Sequence, residues 1–259
     1  MPFQTVIHKL QECLEYETEE QSDLVECSRE TLQRARELAR TPSVRASAAA
    51  AAPAAALAAA DVETALHAVT RAVRACRKCP LHDTRIQAVP GQGSLAPEIL
   101  FVGEAPGADE DKQGLAFVGR AGQLLTRMIE AMGYTRDEVF IANILKCRPP
   151  QNRPPLPEEM QTCLPYLREQ VRRLSPKAIV TLGSTAVKGL LPDLDFLSMG
   201  KTRGRWLAYE GIDVMPTYHP AYLLRNPSAK VQVWQDLQAV LARLGKKPPR
   251  GTNRAARDA

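Results

Sequence analysis

Four cysteines stand out for what they could chelate. Cys76 and Cys79 form the pair CRKC, and Cys147 and Cys163 follow after a long gap, with 15 residues between them. Two thiolates spaced C-x-x-C reach one metal centre from a single turn. The spacing departs from the compact double C-x-x-C of a zinc ribbon. It suits a four-cysteine metal centre, with buried structural thiols as the alternative. Spacing does not separate zinc from an iron–sulfur cluster. Two further cysteines, Cys13 and Cys27, lie far upstream of this pattern. Disulfides are not expected in a chain of cytosolic type.

A second stretch with chemical potential is ILFVGEAPGADEDKQGLAFVG, residues 99–119. An apolar run enters a Gly/Pro turn, as a strand does when it feeds a ligand loop. Such loops often cradle phosphate through backbone N–H groups. Here the loop carries Glu104, Asp109, Glu110 and Asp111, against Lys112 as its one cation before Gly119. That charge is wrong for phosphate. Two isolated polar residues add to the set. Asn143 ends the apolar run VFIANI, where an Asn also serves simply to end a strand and cap a turn. His219 lies in YHPAYLLRNP, where His-Pro is also an ordinary loop dipeptide.

The elements that must position these residues follow from hydrophobic patterning. EILFVG (98–103), VFIANI (139–144) and AIVTLG (178–183) read as buried strands. AGQLLTRMIEAM places Ala121, Leu124, Leu125, Met128, Ile129 and Met132 at helical spacing. LPEEMQTCLPYLREQVRRL opens a helix with Pro157 and two acids, and Pro165 is expected to kink or split it. RWLAYE and DVMPTY flank Gly211 as a hairpin or two late strands, and SAKVQVWQDLQAVLARLG closes as a helix. Strand–helix alternation of this kind predicts an α/β fold: a three-layer α/β/α sandwich around a central, mostly parallel four-stranded sheet. Ligands bind such sheets beyond the carboxyl ends of the strands. The loops GEAPG, NILKCRPPQNRPP and GSTA should therefore converge on the site.

The chain has 259 residues, with a net charge of +5 that conceals an asymmetry: residues 1–60 carry −3 and residues 61–259 carry +8. The basic part holds the motifs, a modest bias toward a polyanion that a solvated basic surface would also explain. Residues 1–40 read as a charged, amphipathic helical extension. Residues 41–60, TPSVRASAAAAAPAAALAAA, read as an Ala/Pro-rich linker. The globular domain is expected over 61–245, and 246–259 as a basic disordered tail. No apolar run approaches the roughly 18 residues of a membrane helix. The acidic N-terminus carries no secretory signal pattern.

Taken together, GEAPGADEDKQGLAFVGRAGQLL, NILKCRPPQNRPP and HPAYLLRNP resemble the family 4 uracil-DNA glycosylases, in order and spacing, as do the four cysteines. The resemblance covers about residues 70–243 and leaves out the N-terminal extension and the tail. It implies the uracil-DNA glycosylase-like fold and a [4Fe-4S] cluster on Cys76, Cys79, Cys147 and Cys163. Such a cluster is mainly structural and would hold the basic pair Lys146 and Arg148 toward DNA. The related family X proteins trap DNA covalently through a histidine in an inserted basic loop. The corresponding stretch here, SMGKTRGRWLAYEG, has no histidine, so turnover is expected.

The resemblance also implies roles. Asn143 reads the Watson–Crick edge of a flipped uracil, Phe117 stacks on it, and Glu110 walls the pocket near C5 so that a thymine methyl does not fit. His219 bonds uracil O2 as charge develops there, with backbone N–H groups around Glu104 and Ala105 assisting. Glu104 either orients the attacking water or holds the loop. Asn152 helps order the site. Leu223 or Leu224 wedges into the duplex, and Arg225 meets phosphate or the orphaned base. Ser184, Lys188, Arg120 and Arg148 are further candidates for the DNA backbone. The expected activity is hydrolysis of the N-glycosidic bond by a monofunctional uracil-DNA glycosylase, leaving an abasic site for base-excision repair. The alternative is a DNA-binding or damage-sensing module without catalysis. Expected partners are uracil-containing single- or double-stranded DNA, with no membrane, a monomeric glycosylase domain, and a protein partner for the extension. The expected location is the bacterial cytoplasm, at the nucleoid through DNA.

Overall fold

The computed structural model describes residues 48–249, with side chains from Asp61 onward. The expected extension (1–40) and most of the expected tail (246–259) lie outside the described residues. Much of the stretch read as a linker is helical: helix α1 runs Ala48–Arg74. Alanine, the best helix former, dominates its first half.

The three runs read as buried strands are β2 (Ile99–Gly103), β3 (Phe140–Asn143) and β4 (Ala178–Leu182), and every residue in them is buried. The two late strands are β5 (Leu207–Tyr209) and β6 (Ile212–Thr217), paired antiparallel as a hairpin through Gly211. A two-residue strand, β1 (Gln92–Gly93), pairs antiparallel with β3. The sheet is therefore six-stranded, in the order β1-β3-β2-β4-β6-β5. The expected four-stranded parallel sheet is its centre, β3-β2-β4-β6. The sequence reading missed β1 because two residues carry no alternation to detect.

Alternate residues of the central strands enter separate hydrophobic layers. On one face Ile99, Phe101, Ile141, Val180 and Met215 meet helices α4 (Arg120–Ala131) and α9 (Lys230–Arg243). On the other, Leu100, Val102, Ile179 and Val214 meet α5 (Pro157–Leu174), α6 (Ser184–Leu190) and Leu66 of α1. This is the three-layer α/β/α sandwich, with both faces of the sheet covered, as parallel strands require. The remaining helices are short: α2 (Leu81–Thr84), α3 (Ala108–Gln113), α7 (Met199–Thr202) and α8 (Pro220–Arg225).

Helix α5 runs through Pro165 without splitting. Pro165 is exposed, so the carbonyl left without an N–H donor can turn to water, while Leu164, Leu167 and Val171 anchor the opposite face. Its first turn is tied by Glu159, which accepts from Leu156 N–H at 2.9 Å and pairs through both oxygens with Arg153.

The chain leaves β2 toward β3 on one side, then crosses back to β4 on the other. That reversal opens a crevice at the carboxyl end of β2, the place where such sheets bind ligands.

Candidate active site

The crevice holds a cavity of about 240 Å³. It is smaller than the roughly 300–1,000 Å³ typical of drug-sized ligands, and has room for one small planar ring. The loop after β2 supplies Glu104, Ala105, Pro106, Gly107 and Glu110, then Phe117. Asn143 comes from the end of β3, Pro149, Asn152 and Arg153 from the loop that follows, and His219 and Ala221 from the start of α8.

Gly103, at the end of β2, makes the crowding possible. A Cβ there would lie 2.5 Å from the Phe117 ring and 2.4 Å from Asn143 Oδ1. Phe117 itself has φ 55°, a left-handed backbone that costs a non-glycine residue about 1–3 kcal/mol. Its ring stands 5.6 Å from that of His219, tilted by 33°. The Asn143 side chain is buried, and its Oδ1 has no hydrogen-bond partner among the described residues. A buried acceptor left unpaired costs roughly 1–3 kcal/mol, and the hydroxyls of Thr181 and Tyr209 are also buried without a partner among the described residues.

His219 is held in one tautomer. Its Nδ1 accepts from Ala221 N–H at 3.1 Å, so in the neutral ring the proton sits on Nε2. Burial, then the charge of Arg225, holds its pKa down to about 4, against an opposing pull from Glu110. The ring therefore works as a neutral N–H donor.

Two of the loop's acids, Glu110 and Asp111, turn inward, while Asp109 is exposed. Glu110 lines the cavity, yet its Oε1 accepts from Val118 and Gly119 N–H, both at 2.9 Å, and its Oε2 from Gly107 N–H at 3.1 Å. Buried Asp111 accepts from Ile86 and Gln87 N–H at 2.9 and 3.3 Å. Glu104 lines the cavity and is half-buried. Asn152, at the rim with φ 56°, accepts from Arg148 Nε at 2.8 Å.

Two expectations are corrected here. Leu223 is 1% exposed and packs in the core, whereas Leu224 is 42% exposed; a wedge must reach solvent, so Leu224 alone of the pair is free to act as one. Lys146 does not face outward with Arg148. It is buried, and its ammonium donates to Gln170 Oε1 at 2.7 Å, so it cannot contact DNA. Arg225, Arg120 and Lys188 are exposed, and Ser184 is half-buried. The sequence reading missed Pro149 and Arg153 as parts of the pocket, and Gly103 as the residue whose missing side chain makes room for Phe117 and Asn143. Arg153 belongs to the motif NILKCRPPQNRPP, so its neighbourhood was visible although its pairing with Glu159 was not.

Three of the four thiols meet in one cluster. Cys147 and Cys163 are buried in one apolar cluster with Leu81 and Leu145, against which Cys79 packs. Cys76 and Cys79 lie in the turn between α1 and α2, and none of the four is in a disulfide. Donors point at the buried sulfurs: Arg85 reaches Cys147 Sγ at 2.9 Å, and Lys146 N–H reaches Cys163 Sγ at 3.2 Å. Arg85 also donates to the carbonyls of Arg74 and Cys76, both at 2.9 Å. Burial pushes the Cys163 thiol up to about 11 and raises Cys147 too, so both stay protonated unless something coordinates them.

Fold and pocket together define a three-layer α/β protein with a small pocket at its switch point. The chain belongs to the uracil DNA glycosylase superfamily, whose sequence profile matches residues 90–238. It is 42% identical over 190 residues to the type-4 uracil-DNA glycosylase of Archaeoglobus fulgidus, covering 71% of this chain and 96% of that protein. It is 44% identical over 181 residues to the type-4 uracil-DNA glycosylase of Thermotoga maritima, covering 68% and 93%. A type-5 uracil-DNA glycosylase of Pyrobaculum aerophilum is 32% identical over 153 residues, covering 53% and 67%.

The state of His219 is directly measurable. Nitrogen-15 NMR of the imidazole should show the Nε2-protonated tautomer at pH 7, titrating at about 4 where free histidine titrates at 6.5. Because the folded pKa is the lower one, the unfolded chain binds the extra proton between these values. This ring's contribution to stability therefore falls as pH drops from 6.5 toward 4. A titration centred at 6.5 would show that the ring is not buried as described.

Proposed function

We propose that the protein is a monofunctional uracil-DNA glycosylase of the type-4 kind, which hydrolyses the N-glycosidic bond of uracil in DNA and leaves an abasic site for base-excision repair. The observation that carries this reading is Asn143, a buried amide that lines the cavity and whose Oδ1 has no hydrogen-bond partner among the described residues. Uracil offers it an N3–H donor and offers the amide NH2 its O4. Cytosine presents an acceptor at N3 and a donor at C4, so both bonds fail. A pocket built to pair its polar groups rejects a base that leaves them unpaired.

The flipped base stacks on Phe117, and Glu110, tied by three backbone N–H groups, is a wall that cannot swing aside for a thymine methyl. As the bond from C1′ to N1 breaks, its electron pair passes to the uracil ring and the sugar becomes cationic. The Nε2–H of His219 meets the charge at O2, with backbone N–H groups near Glu104 and Ala105 beside it. Water adds to C1′, and on this reading Glu104, which lines the cavity, either orients it or holds the loop. The water's proton balances the departing uracil anion. Leu224 fills the vacated space in the helix, and Arg225, Arg148 and Arg120 meet phosphates. Such contacts are sequence-independent, and we take both single- and double-stranded DNA as substrate.

The four cysteines fit a [4Fe-4S] cluster. Two of their sulfurs already accept N–H bonds, as cluster thiolates do. Among the described residues no three His, Cys, Asp or Glu side chains are gathered tightly enough to grip a single ion. When bound, the cluster would supply a cross-link joining the turn at Cys76 and Cys79, the loop at Cys147 and helix α5. Among the described residues no helix is long and apolar enough to cross a membrane. We assign the protein's place of work to cytoplasmic DNA, its glycosylase domain to a monomer, and residues 1–40 to docking a protein partner.

Three measurements test this reading. Asn143→Ala should lower turnover on uracil-containing oligonucleotides by about 100-fold or more while DNA affinity changes little; equal losses in both would remove its base-reading role. Purified protein should carry about four irons with broad absorption near ~400 nm; stoichiometric zinc without iron would overturn the cluster. Deleting residues 1–47 should leave excision intact and abolish capture of a partner; lost excision would place part of the catalytic domain there.

A further inference from the structure

Phe117 is the residue of the pocket least able to hold its own position. Its left-handed backbone is unfavourable, and its two flanking peptide units are gripped by side chains from elsewhere. On one side Glu110 takes Val118 and Gly119 N–H. On the other, Ala116 is held at both ends. Its N–H donates to Gln92 Oε1 at 3.2 Å, and its carbonyl accepts from Arg136 at 2.8 Å. Arg136 lies after α4, outside the pocket, and is partly buried. Its other terminal nitrogen donates to Thr126 Oγ1 at 3.0 Å, and that hydroxyl donates to Gly122 O at 3.1 Å. Gly122 is itself where the Phe117 carbonyl presses: a Cβ there would stand 1.9 Å from Phe117 O. Arg136 thus touches both the peptide before Phe117 and the helical turn on which Phe117 rests.

We propose that Arg136, with Gln92, is a positioning residue for base recognition: it holds the strained Phe117 backbone so that the ring lies flat against the flipped uracil. The guanidinium suits the task because its planar fork reaches two acceptors in fixed directions and stays charged at every working pH. Without it the Ala116 carbonyl loses its donor, and on that side the Gln92 bond is left by itself to resist relaxation of Phe117 to an ordinary backbone. The ring would then leave the face of the base while the DNA track, made by other residues, stayed unchanged. This inference rests on the stacking role given to Phe117 above.

The test is a double-mutant cycle with Arg136→Met, Arg136→Lys and Gln92→Leu, each alone and combined with Phe117→Ala. Turnover, inhibition by free uracil, affinity for uracil-free DNA and urea stability are read for each. Arg136→Met should lower turnover and weaken free-uracil inhibition by about 10- to 100-fold, the scale of small misplacements at an active site. Affinity for uracil-free DNA should not move. In the Phe117→Ala background the same substitution should change turnover less than about twofold, because the group it positions is gone. Arg136→Lys, which keeps one donor, should recover part of the loss, and Gln92→Leu should repeat it in milder form. Equal losses in both backgrounds, or a fall in stability with free-uracil inhibition unchanged, would overturn the proposal. Full activity of Phe117→Ala alone would sink the stacking role itself and this inference with it. Loss in Phe117→Ala followed by an equal further loss from Arg136→Met would sink the Arg136 role only.

Discussion

The site depends on one missing atom group, the side chain of Gly103. At the carboxyl end of β2 the Phe117 ring and the Asn143 amide both occupy the volume that a Cβ would fill. Without that vacancy the aromatic platform and the buried amide could not face the same small cavity. Everything else at the switch point works to keep the two in place. The parallel pairing of β2 with β3 sets Gly103 directly beside Asn143. Leu145 N–H bonds the Glu104 carbonyl at 3.0 Å and carries the alignment past the last strand residue. Gly122 lets α4 come up against the Phe117 carbonyl.

The charges of this protein are spent inward as much as outward. An acidic glycine loop looks poorly suited to a DNA-acting enzyme until its carboxylates are followed. Glu110 and Asp111 satisfy five backbone N–H bonds between them, which no segment of regular structure would satisfy. The loop therefore needs acids to be rigid, and its ligand on our reading is a neutral base. Around the thiols the sign reverses. Arg85 and buried Lys146 bring positive charge and N–H donors to Cys147 and Cys163, where sulfur would carry negative charge once coordinated. These cations are engaged inside the protein, whereas arginines such as Arg225 and Arg120 are exposed and on our reading supply the phosphate contacts.

Much of the fold was legible because the central strands are buried on both faces and so read as unbroken apolar runs. ILFVG, FIAN and AIVTL needed no long-range information to be recognised. What escaped was short or overridden by context. Strand β1 has two residues. Pro165 sits in a helix that was expected to kink or split there, and tertiary packing of the opposite face carries the helix through. Leu223 and Leu224 are equivalent as letters. A helix turns by 100° per residue, so one of two neighbours enters the core while the other meets solvent.

The sequence by itself determined the layer architecture, the loops that meet at the sheet's end, and several of the residues that meet there, such as Glu110, Phe117, Asn143 and His219. Those follow from residue type and order, through hydrophobic period and motif spacing. Only the tertiary structure decided what each polar group does. Whether Glu110 faces solvent or ties down three amides depends on which N–H groups lie within 3.1 Å of it. So does the choice between Lys146 on the surface and Lys146 in the core, and the tautomer of His219. Hydrogen bonds and burial act over a few ångströms between residues far apart in the chain, and that proximity exists only after folding.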